Sequence, residues 1–345
     1  MKTICIYHKI DLDGWMSAAI VKKWFKESNK DMNIVQFVDI DKGQKLLPSE
    51  EINSLSMLGW NYGDKIPDLS NYDKVIMCDI SFSKEEMQEI HEDKIPGNFI
   101  WIDHHKSAML ECNNLVFVGL RNTKFAACEL TWQYFFPEET VHYQEMPEIV
   151  RLLGRYDCFG HKGTEEEQKV LEFQYGARAC MNDYEDCFRV LSKSVGDLEW
   201  DDVMTPEGRI QRSGESIYQY LCTEAKQIYK RAFEIEFMEP SYITVQGEKK
   251  GEIVKTEIMK WKRKFLCVNQ ERFNPINFDI DYHKDGYDGF ASFWLREDGL
   301  WEFKLMNDNG EVDCSAIAKQ YGGGGHRGAS GFICDYDTLK EFINK

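Results

Sequence analysis

Short apolar segments alternate with helical patterns in the N-terminal part of the chain, and several of these segments stop at an aspartate or a histidine. Strands that alternate with helices form a mostly parallel sheet with helices on both faces. The sequence therefore predicts an α/β fold for this part of the chain. Strands are predicted over 4–7, 33–38, 75–78, 99–102 and 115–118, and helices over 15–25, after the capping box Ser83–Glu86, and through 129–132.

The pattern changes toward the C-terminus. Residues from about 140 to 235 are predicted to be mainly helical, with one long helix over 217–237. From about residue 240 the pattern favours strands again, followed by a short helix over 315–320. The C-terminal strands are predicted over 243–245, 265–268, 289–294 and 301–305.

The length of 345 residues is enough for two domains that each bury a core. We place a parallel-sheet domain at 1–190, a helical connector at 191–240 and a smaller α+β domain at 241–345. The sequence has no low-complexity linker between these parts, and the long helix predicted over 217–237 indicates a helical connector.

The net charge and the cysteine content limit the partners and the cellular compartment that the chain can have. The formal net charge is −17, whereas a protein that coats long DNA or RNA needs a broad basic surface. No apolar stretch approaches the roughly 18 residues of a membrane span, and the eleven cysteines lack a Cys-x-x-Cys pair, which fits a reduced compartment. We therefore expect a cytoplasmic protein with no membrane partner and no long nucleic acid as a partner. A homodimer is compatible with these features.

Four segments carry acidic or histidine side chains at positions suited to a site. The first is HKIDLDG at 8–14, directly after the first predicted strand. Asp79 ends the second, Asp103-His104-His105 end the third, and Asp157 lies near the end of a helical segment. In an open parallel sheet, ligands bind outside the carboxyl ends of the strands. The first three segments are therefore predicted to converge on one crevice.

These residue types suit divalent cations. Mg²⁺ and Mn²⁺ both prefer carboxylate oxygens, and Mn²⁺ accepts imidazole more readily. Two ions about 3.5–4 Å apart can hold both the attacking and the leaving oxygen of a phosphoryl displacement. A single aspartate after a strand is more often a turn or cap residue, but the whole ordered set predicts a metal centre. The candidate ligands are His8, Asp11, Asp13, Asp79, His104 and Asp157.

A glycine run near the C-terminus forms the last candidate site. Glycines let backbone amides approach a ligand, and successive N–H groups can bind an anion. The histidine and arginine that follow add donors suited to phosphate. Four glycines alone are more often a flexible turn, but in a chain that also carries HKIDLDG they predict a phosphate site. The candidate contacts are Gly323, Gly324, Gly325, His326 and Arg327.

Together these motifs resemble those of the DHH phosphoesterase superfamily, in the branch with a DHH-associated C-terminal domain. They are most similar to those of the oligoribonuclease (nanoRNase) and cyclic-nucleotide phosphodiesterase group. The resemblance extends over nearly the whole chain and implies a DHH catalytic domain, a DHH-associated substrate-binding domain and an active site in the cleft between them. The motifs are HKIDLDG, VIMCDIS around Asp79, Asp103-His104-His105, GRYDCFG around Asp157 and GGGGHRGASGF at 322–332.

The resemblance implies two divalent ions, with two imidazole ligands that favour Mn²⁺ and leave Mg²⁺ as the alternative. A water activated by both ions would attack phosphorus. Asp79 would bridge the ions. The first ion would also be held by His8 and Asp11, and the second by Asp13, His104 and Asp157.

The remaining motif residues would act on the substrate. By the same resemblance, His105 would contact the phosphate or a leaving oxygen, and Asp103 would orient a ligating imidazole. The segment Gly323–Arg327 would hold a terminal phosphate or nucleotide. Two positions differ from the family pattern. Met306 stands where many relatives carry an arginine, and the spacing from His8 to Asp11 is one residue shorter than usual.

The leading hypothesis is hydrolysis of short oligonucleotides to mononucleotides. A cyclic mono- or dinucleotide phosphodiesterase is the alternative in the same class. Pyrophosphatase activity is less favoured, because that branch has a different C-terminal domain. A hypothesis from another class is a non-catalytic nucleotide sensor on a phosphoesterase scaffold, although every expected ligand type is present here.

Overall fold

The computed structural model describes residues 1–31, 35–45, 53–138, 145–192, 206–246, 253–271, 273–278 and 280–343. The chain divides into two units, Met1–Tyr218 and Gln219–Lys345, and each is described by itself. The predicted α/β fold is confirmed, with a parallel sheet and helices in the N-terminal unit and a second sheet in the C-terminal unit.

Five parallel strands form the N-terminal sheet, in the order β2-β3-β1-β4-β5. The chain runs from β1 toward one edge of the sheet and from β4 toward the other edge. This reversal creates a crevice at the carboxyl ends of β1 and β4. The strands are β1 (Lys2–His8), β2 (Val35–Asp39), β3 (Asn53–Trp60), β4 (Lys74–Cys78) and β5 (Phe99–Ile102).

Two segments of this sheet differ from the prediction. No strand is predicted where β3 lies, because Ser54 and Ser56 interrupt its apolar residues, yet both serines are buried in the sheet. Residues 115–118 are predicted as a strand but form only an isolated parallel bridge between Val118 and Ile100. A second isolated bridge joins Arg121 to Asp103, directly after β5, but the two bridges do not make a continuous sixth strand.

Helices cover both faces of the sheet, and α1 packs against α4 and α7. The predicted capping box is confirmed at the start of α2, where Ser83 and Glu86 exchange hydrogen bonds. The helices of this part of the chain are α1 (Leu12–Ser28), α2 (Lys84–Asp93), α3 (Lys106–Glu111), α4 (Ala127–Phe135), α5 (Glu148–Asp157), α6 (Glu167–Cys180), α7 (Tyr184–Ser192) and α8 (Pro206–Tyr229).

The predicted helix over 217–237 is wrong at its C-terminal end, because α8 ends at Tyr229 and a strand begins at Phe233. Ile235 and Phe237 are buried, whereas the alternating Glu234 and Glu236 form ion pairs with lysines. This period of two is typical of a strand, and it outweighs the helical propensity of the glutamates.

The C-terminal unit contains a six-stranded sheet in the order β10-β11-β9-β8-β7-β6, antiparallel except between β7 and β8. α9 (Cys314–Lys319) and α10 (Tyr336–Ile343) contribute to its aromatic core. No helix in the described part of either unit is long and apolar enough to cross a membrane. The strands are β6 (Phe233–Gln246), β7 (Ile253–Asn269), β8 (Gly289–Leu295), β9 (Trp301–Met306), β10 (Gly324–Gly325) and β11 (Ala329–Cys334).

α6 and α8 approach each other closely enough to require glycine at their contact. A Cβ atom on Gly214 would lie 1.7 Å from the carbonyl oxygen of Glu172, and one on Gly176 would lie 2.1 Å from that of Ile210. Since both obstacles are backbone atoms, neither can rotate away.

We predict that Gly214→Ala lowers the free energy of unfolding by about 1–3 kcal/mol, as overpacked sites do. The loss is expected although alanine is favoured over glycine in a helix by about 1 kcal/mol. Ser213→Ala, on the exposed side of the same helix, is the control and should leave stability almost unchanged. Urea denaturation of the three proteins measures both effects, and equal stability of wild type and Gly214→Ala would contradict the close approach.

Candidate metal centre

Three neighbouring strands of the N-terminal sheet each have an ionisable side chain at their carboxyl end. His8 is the last residue of β1, Asp79 follows β4, and Asp103 follows β5. The N–H of Asp79 donates to the carbonyl oxygen of Ile102 at 3.0 Å, which holds the ends of β4 and β5 together. Parallel strands therefore bring together groups that are far apart in the sequence.

The start of α1 packs directly on the end of β1. A Cβ atom on Gly14 would lie 2.1 Å from the carbonyl oxygen of His8, so only glycine permits this approach. Asp11 caps the helix, because its Oδ1 accepts a hydrogen bond from the Gly14 N–H at 3.0 Å. Its Oδ2 lies 2.9 Å from His8 Nδ1. Asp11 is therefore both a helix cap and a member of the site.

Asp13 holds the N-terminus of α4 from a distant part of the sequence. Its Oδ2 accepts from the Ala127 N–H at 2.9 Å, and its Oδ1 accepts from the Cys128 N–H at 2.7 Å. Residue 126, at the cap position of α4, is an alanine and has no side-chain acceptor. The buried Asp13 carboxylate takes the role of the missing cap side chain and is stabilised by the positive end of the helix dipole.

Asp79 adopts a backbone conformation that is uncommon for residues with a side chain. Its φ is 62°, in the left-handed region that aspartate tolerates better than most residues. The side chain is almost completely buried, and Oδ1 has no hydrogen-bond partner. Such a conformation at a buried carboxylate is typical of functional sites.

Asp103 organises the two histidines that follow it. Its Oδ1 accepts hydrogen bonds from the backbone N–H groups of His104 at 2.7 Å and His105 at 3.1 Å, and it lies 2.7 Å from His105 Nδ1. Asp103 is fully buried. It therefore fixes the backbone of His104 and His105 and the orientation of the His105 ring.

The first group of potential ligands contains His8, Asp11 and Asp79. His8 Nδ1 lies 2.9 Å from Asp11 Oδ2 and 3.5 Å from Asp79 Oδ2. The other ring nitrogen, Nε2, lies 3.3 Å from Asn61 Oδ1. When Nε2–H donates to Asn61, Nδ1 keeps its lone pair for a metal ion.

The second group contains Asp13, His104 and Asp157. His104 Nε2 lies 3.7 Å from Asp13 Oδ2 and 3.3 Å from Asp157 Oδ2. Asp157 is the last residue of α5, which approaches α4 so closely that a Cβ atom on Gly154 would lie 2.5 Å from the Glu129 side chain. The glycine of GRYDCFG therefore positions Asp157.

Asp79 and His104 connect these groups. Asp79 Oδ1 lies 3.4 Å from His104 Nε2 and 3.8 Å from His105 Nδ1, so Asp79, His104 and His105 form a third group of potential ligands. The two oxygens of Asp79 thus face different imidazoles. This is the arrangement that a carboxylate bridging two ions requires.

The carboxylates perturb the acid–base behaviour of the site. Burial lowers the pKa of His8, but Asp11 and Asp79 outweigh burial and raise it to about 10. For His104, burial is likewise outweighed by Asp79, Asp13 and Asp157, and its pKa rises to about 10. Burial, reinforced by the charge of Asp79, raises the pKa of Asp157 to about 6 and that of Asp13 well above its usual value.

This excess of negative charge fits divalent cations. The raised pKa values show that protons reduce the repulsion among the carboxylates of the cluster. Bound cations would do the same and would release these protons. The buried atoms Asp79 Oδ1 and His8 Nδ1 have no hydrogen-bond partner, although oppositely charged groups lie near both. The donor set of carboxylate oxygens and imidazole nitrogens is one that Mn²⁺ and Mg²⁺ use, and imidazole favours Mn²⁺.

The glycine-rich segment lies in the C-terminal unit and forms a tight hairpin. The N–H of His326 donates to the carbonyl oxygen of Ala329 at 2.7 Å, and β10 pairs with β11. Gly325 has a φ of 134°, and a Cβ atom on Gly323 would lie 2.1 Å from the carbonyl oxygen of Gly331. Both positions therefore require glycine.

His326 and Arg327 are exposed at the tip of this hairpin, and Gly324 lies beside them in β10. The Arg327 Nε–H donates to the carbonyl oxygen of Gly310 at 3.1 Å, while Nη1 is 3.8 Å from Asp313 Oδ2. Met306 pairs with Ala329 in the neighbouring strand. The arginine is thus held by its inner nitrogen and presents its outer end to solvent.

The strands that carry this site lie in a part of the chain that is similar to a known family. Residues 3–153 match the DHH family, N-terminal domain. Over these residues the chain is similar to the N-terminal domain of metal-dependent phosphoesterases of that family. The match covers β1 to α5 up to Leu153, which is all of the strands that carry the site.

Over 337 residues, the chain is 25% identical to "Uncharacterized protein R106" of Acanthamoeba polyphaga mimivirus. This alignment covers 95% of the chain and 66% of the viral protein, so the chain spans just under two thirds of that relative's length.

Two solved structures are similar to the chain at low identity. A pGpG-specific phosphodiesterase, PggH, from Vibrio cholerae matches 99% of this chain and 96% of its own, at 12% identity and a TM-score of 0.48. An exopolyphosphatase-related protein from Bacteroides fragilis matches 96% of this chain and 86% of its own, at 15% identity and a TM-score of 0.43. Likeness at this level does not indicate a shared substrate.

Asn61 is a site residue that the sequence analysis misses. It directly follows β3, the strand that is not predicted, and it contacts His8 Nε2. If the serines of β3 are taken as buried, Asn61 becomes a polar residue at the carboxyl end of a strand next to β1. That signal is present in the sequence but is visible only after the strand is known.

We predict that Asn61→Ala weakens Mn²⁺ binding by about 10- to 100-fold, as loss of an outer hydrogen-bond partner of a metal ligand typically does. The reason is that His8 would lose the contact that fixes its ring and its tautomer. Titration with Mn²⁺, followed by the paramagnetic signal of the free ion, measures the affinity. Asn98→Ala, at the amino-terminal end of the sheet, is the control, and equal affinities of both variants would refute the role of Asn61.

We also predict that Mn²⁺ binding at pH 8 releases about one proton from each of His8 and His104. Their pKa values of about 10 keep both imidazoles protonated in the metal-free protein, whereas metal ligands must be neutral. Calorimetry in buffers with different ionisation enthalpies counts the protons. His104→Gln should remove one of them and His91→Gln none; an unchanged count in His104→Gln would exclude this imidazole as a ligand.

Proposed function

We propose that the chain is a two-metal phosphodiesterase that hydrolyses short oligonucleotides to mononucleotides. The observation that carries the proposal is the position of Asp79, whose two oxygens face His8 on one side and His104 on the other. One ion would be held by His8, Asp11 and Asp79, and the other by Asp13, Asp79, His104 and Asp157. When bound, the ions would lower the pKa of a coordinated water and neutralise charge on the phosphate.

His105 would assist the reaction as a proton donor. Contact with Asp103 raises the pKa of His105 more than burial lowers it, which favours the protonated form of the ring. With Nδ1–H donating to Asp103, Nε2–H has no partner among the described residues and can donate to a phosphate or leaving oxygen. Asp103 supports this role by holding the ring in one orientation.

The C-terminal hairpin would supply the nucleotide contact. Exposed His326 and Arg327 offer donors for a terminal phosphate, and the amides of Gly323–Gly325 border the same turn. Met306, at the position of the family arginine, leaves Arg327 as the guanidinium of this hairpin.

Long nucleic acids are disfavoured as substrates by the pairing of the most basic segment. Residues 260–264, KWKRK, lie in β7, and their cations form ion pairs with glutamates of the same hairpin. A cation already paired with a carboxylate contributes little to phosphate neutralisation. The pairs are Lys260–Glu257, Lys262–Glu236, Arg263–Glu239 and Lys264–Glu234.

We predict that purified protein with Mn²⁺ cleaves 5′-phosphorylated dinucleotides to mononucleotides. Asp79→Asn should lower turnover by more than about 100-fold, the upper end of what loss of an outer ligand contact costs. Chromatography of the products measures both rates. Asp93→Asn, on the exposed surface of α2, is the control for the loss of one carboxylate.

The same assay with other substrates separates the alternatives. Preferred cleavage of a cyclic dinucleotide would support the cyclic-nucleotide phosphodiesterase, and cleavage of pyrophosphate alone would defeat the proposal. A protein that binds dinucleotides in Mn²⁺ without any turnover would instead be a nucleotide sensor.

A further inference from the structure

A cavity of about 390 Å³ opens in the N-terminal unit beside the metal centre. Its volume falls within the range of about 300–1,000 Å³ that is usual for small-ligand sites. No residue of the proposed metal centre lines it, and the proposed reaction makes no use of it. Its wall combines the aromatic residues Trp60, Tyr62 and Phe82 with the carboxylates Asp64, Glu86 and Glu111.

The cavity adjoins the metal centre through three segments. Trp60 and Tyr62 flank Asn61, which contacts His8, and the Tyr62 ring centroid is 6.5 Å from that of His8. Ser81, in the wall, lies two residues after Asp79, and Ser107 lies two residues after His105. A group stacked on Tyr62 would therefore lie close to His8, at the edge of the metal centre.

Tyr62 presents an aromatic face in a fixed orientation. Its ring packs edge-on against Trp60 with centroids 5.7 Å apart, and Ser81 lies close enough to affect the pKa of its hydroxyl. The side chain is nevertheless 55% exposed. An aromatic ring that is packed against another ring and still more than half exposed is suited to stacking against a planar group.

The charge of the wall excludes a phosphate as its occupant. The wall contains three carboxylates and no lysine or arginine. Asp64 already accepts hydrogen bonds from Lys9 Nζ and the Asn61 N–H, and Glu86 accepts one from the Ser83 N–H. Glu111 forms no hydrogen bond or ion pair among the described residues, so its oxygens can accept N–H groups of a neutral ligand.

We propose that this cavity binds the base of the nucleotide attached to the scissile phosphate, stacked on Tyr62, with guanine preferred over uracil. The preference follows from the chemistry of Glu111, because a carboxylate accepts two hydrogen bonds from the adjacent N1–H and N2–H donors of guanine but one from the N3–H of uracil. This inference rests on the proposed phosphodiesterase function and assigns its specificity.

The test uses the full-length protein with Mn²⁺ and three 5′-phosphorylated dinucleotides: diguanylate, diuridylate and an abasic analogue. Tyr62→Ala should lower kcat/KM for diguanylate by about 5- to 150-fold, the range for loss of one base–aromatic stack, and should act mainly through KM. The abasic analogue should be cleaved equally by Tyr62→Ala and wild type. Tyr62→Phe, which keeps the ring, should retain most of the activity.

Glu111→Gln should reduce the preference for diguanylate over diuridylate while leaving cleavage of the abasic analogue unchanged. Tyr336→Ala, at an exposed tyrosine of the C-terminal unit, is the matched control. It should leave kcat/KM for all three dinucleotides unchanged. If Tyr62→Ala slows the abasic analogue as much as diguanylate, or slows neither, the base site is wrong.

A binding experiment separates failure of this inference from failure of the proposed function. Calorimetry compares guanosine 5′-monophosphate with ribose 5-phosphate, both in Mn²⁺. Tighter binding of the nucleotide that is lost in Tyr62→Ala supports the base site even if no dinucleotide is cleaved, which would overturn only the phosphodiesterase assignment. Equal affinity of the two ligands in the wild type overturns the base site itself.

Discussion

Mutual repulsion among the carboxylates at the carboxyl end of the N-terminal sheet is the constraint on which the rest of the site depends. Backbone N–H groups offset part of it, because Asp13 accepts two hydrogen bonds from α4 and Asp103 accepts two from the residues that follow it. Asp79 Oδ1 has no such donor. The fold therefore stabilises the outer carboxylates and leaves the central one without a donor, so a cation bound there would add to the stability of the folded chain.

Steric requirements of the backbone explain much of the motif spacing. Gly14 lets α1 begin against His8, and Gly154 lets α5 approach α4 so that Asp157 reaches His104. The left-handed conformation of Asp79 turns the chain out of β4 at the point where its carboxylate must face the crevice. The glycines beside the acidic residues are thus part of the site even though they bind nothing themselves.

The sequence predicts the parallel sheet and the convergence of three strand ends, because apolar runs that end in aspartate or histidine are a local signal. It misses β3, because buried serines give no such signal, and with β3 it misses Asn61 and Tyr62. The helix predicted over 217–237 extends too far, because propensity alone cannot detect that Phe233 starts a strand whose partner is β7. Contacts that depend on pairing between distant segments are the ones that a single sequence conceals.

Charge also determines how a substrate can approach. A phosphate reaches the site only where divalent ions offset the aspartates, because the neighbouring cavity adds three more carboxylates and the basic residues of β7 are already paired. Each further phosphate of a long chain would meet a surface of a protein with a net charge of −17 without an ion to compensate it. For the proposed nucleotide substrate, affinity would therefore come from one or two phosphates and from neutral bases. A substrate of few nucleotides satisfies this condition, since every additional nucleotide adds repulsion without adding a contact at the metal centre.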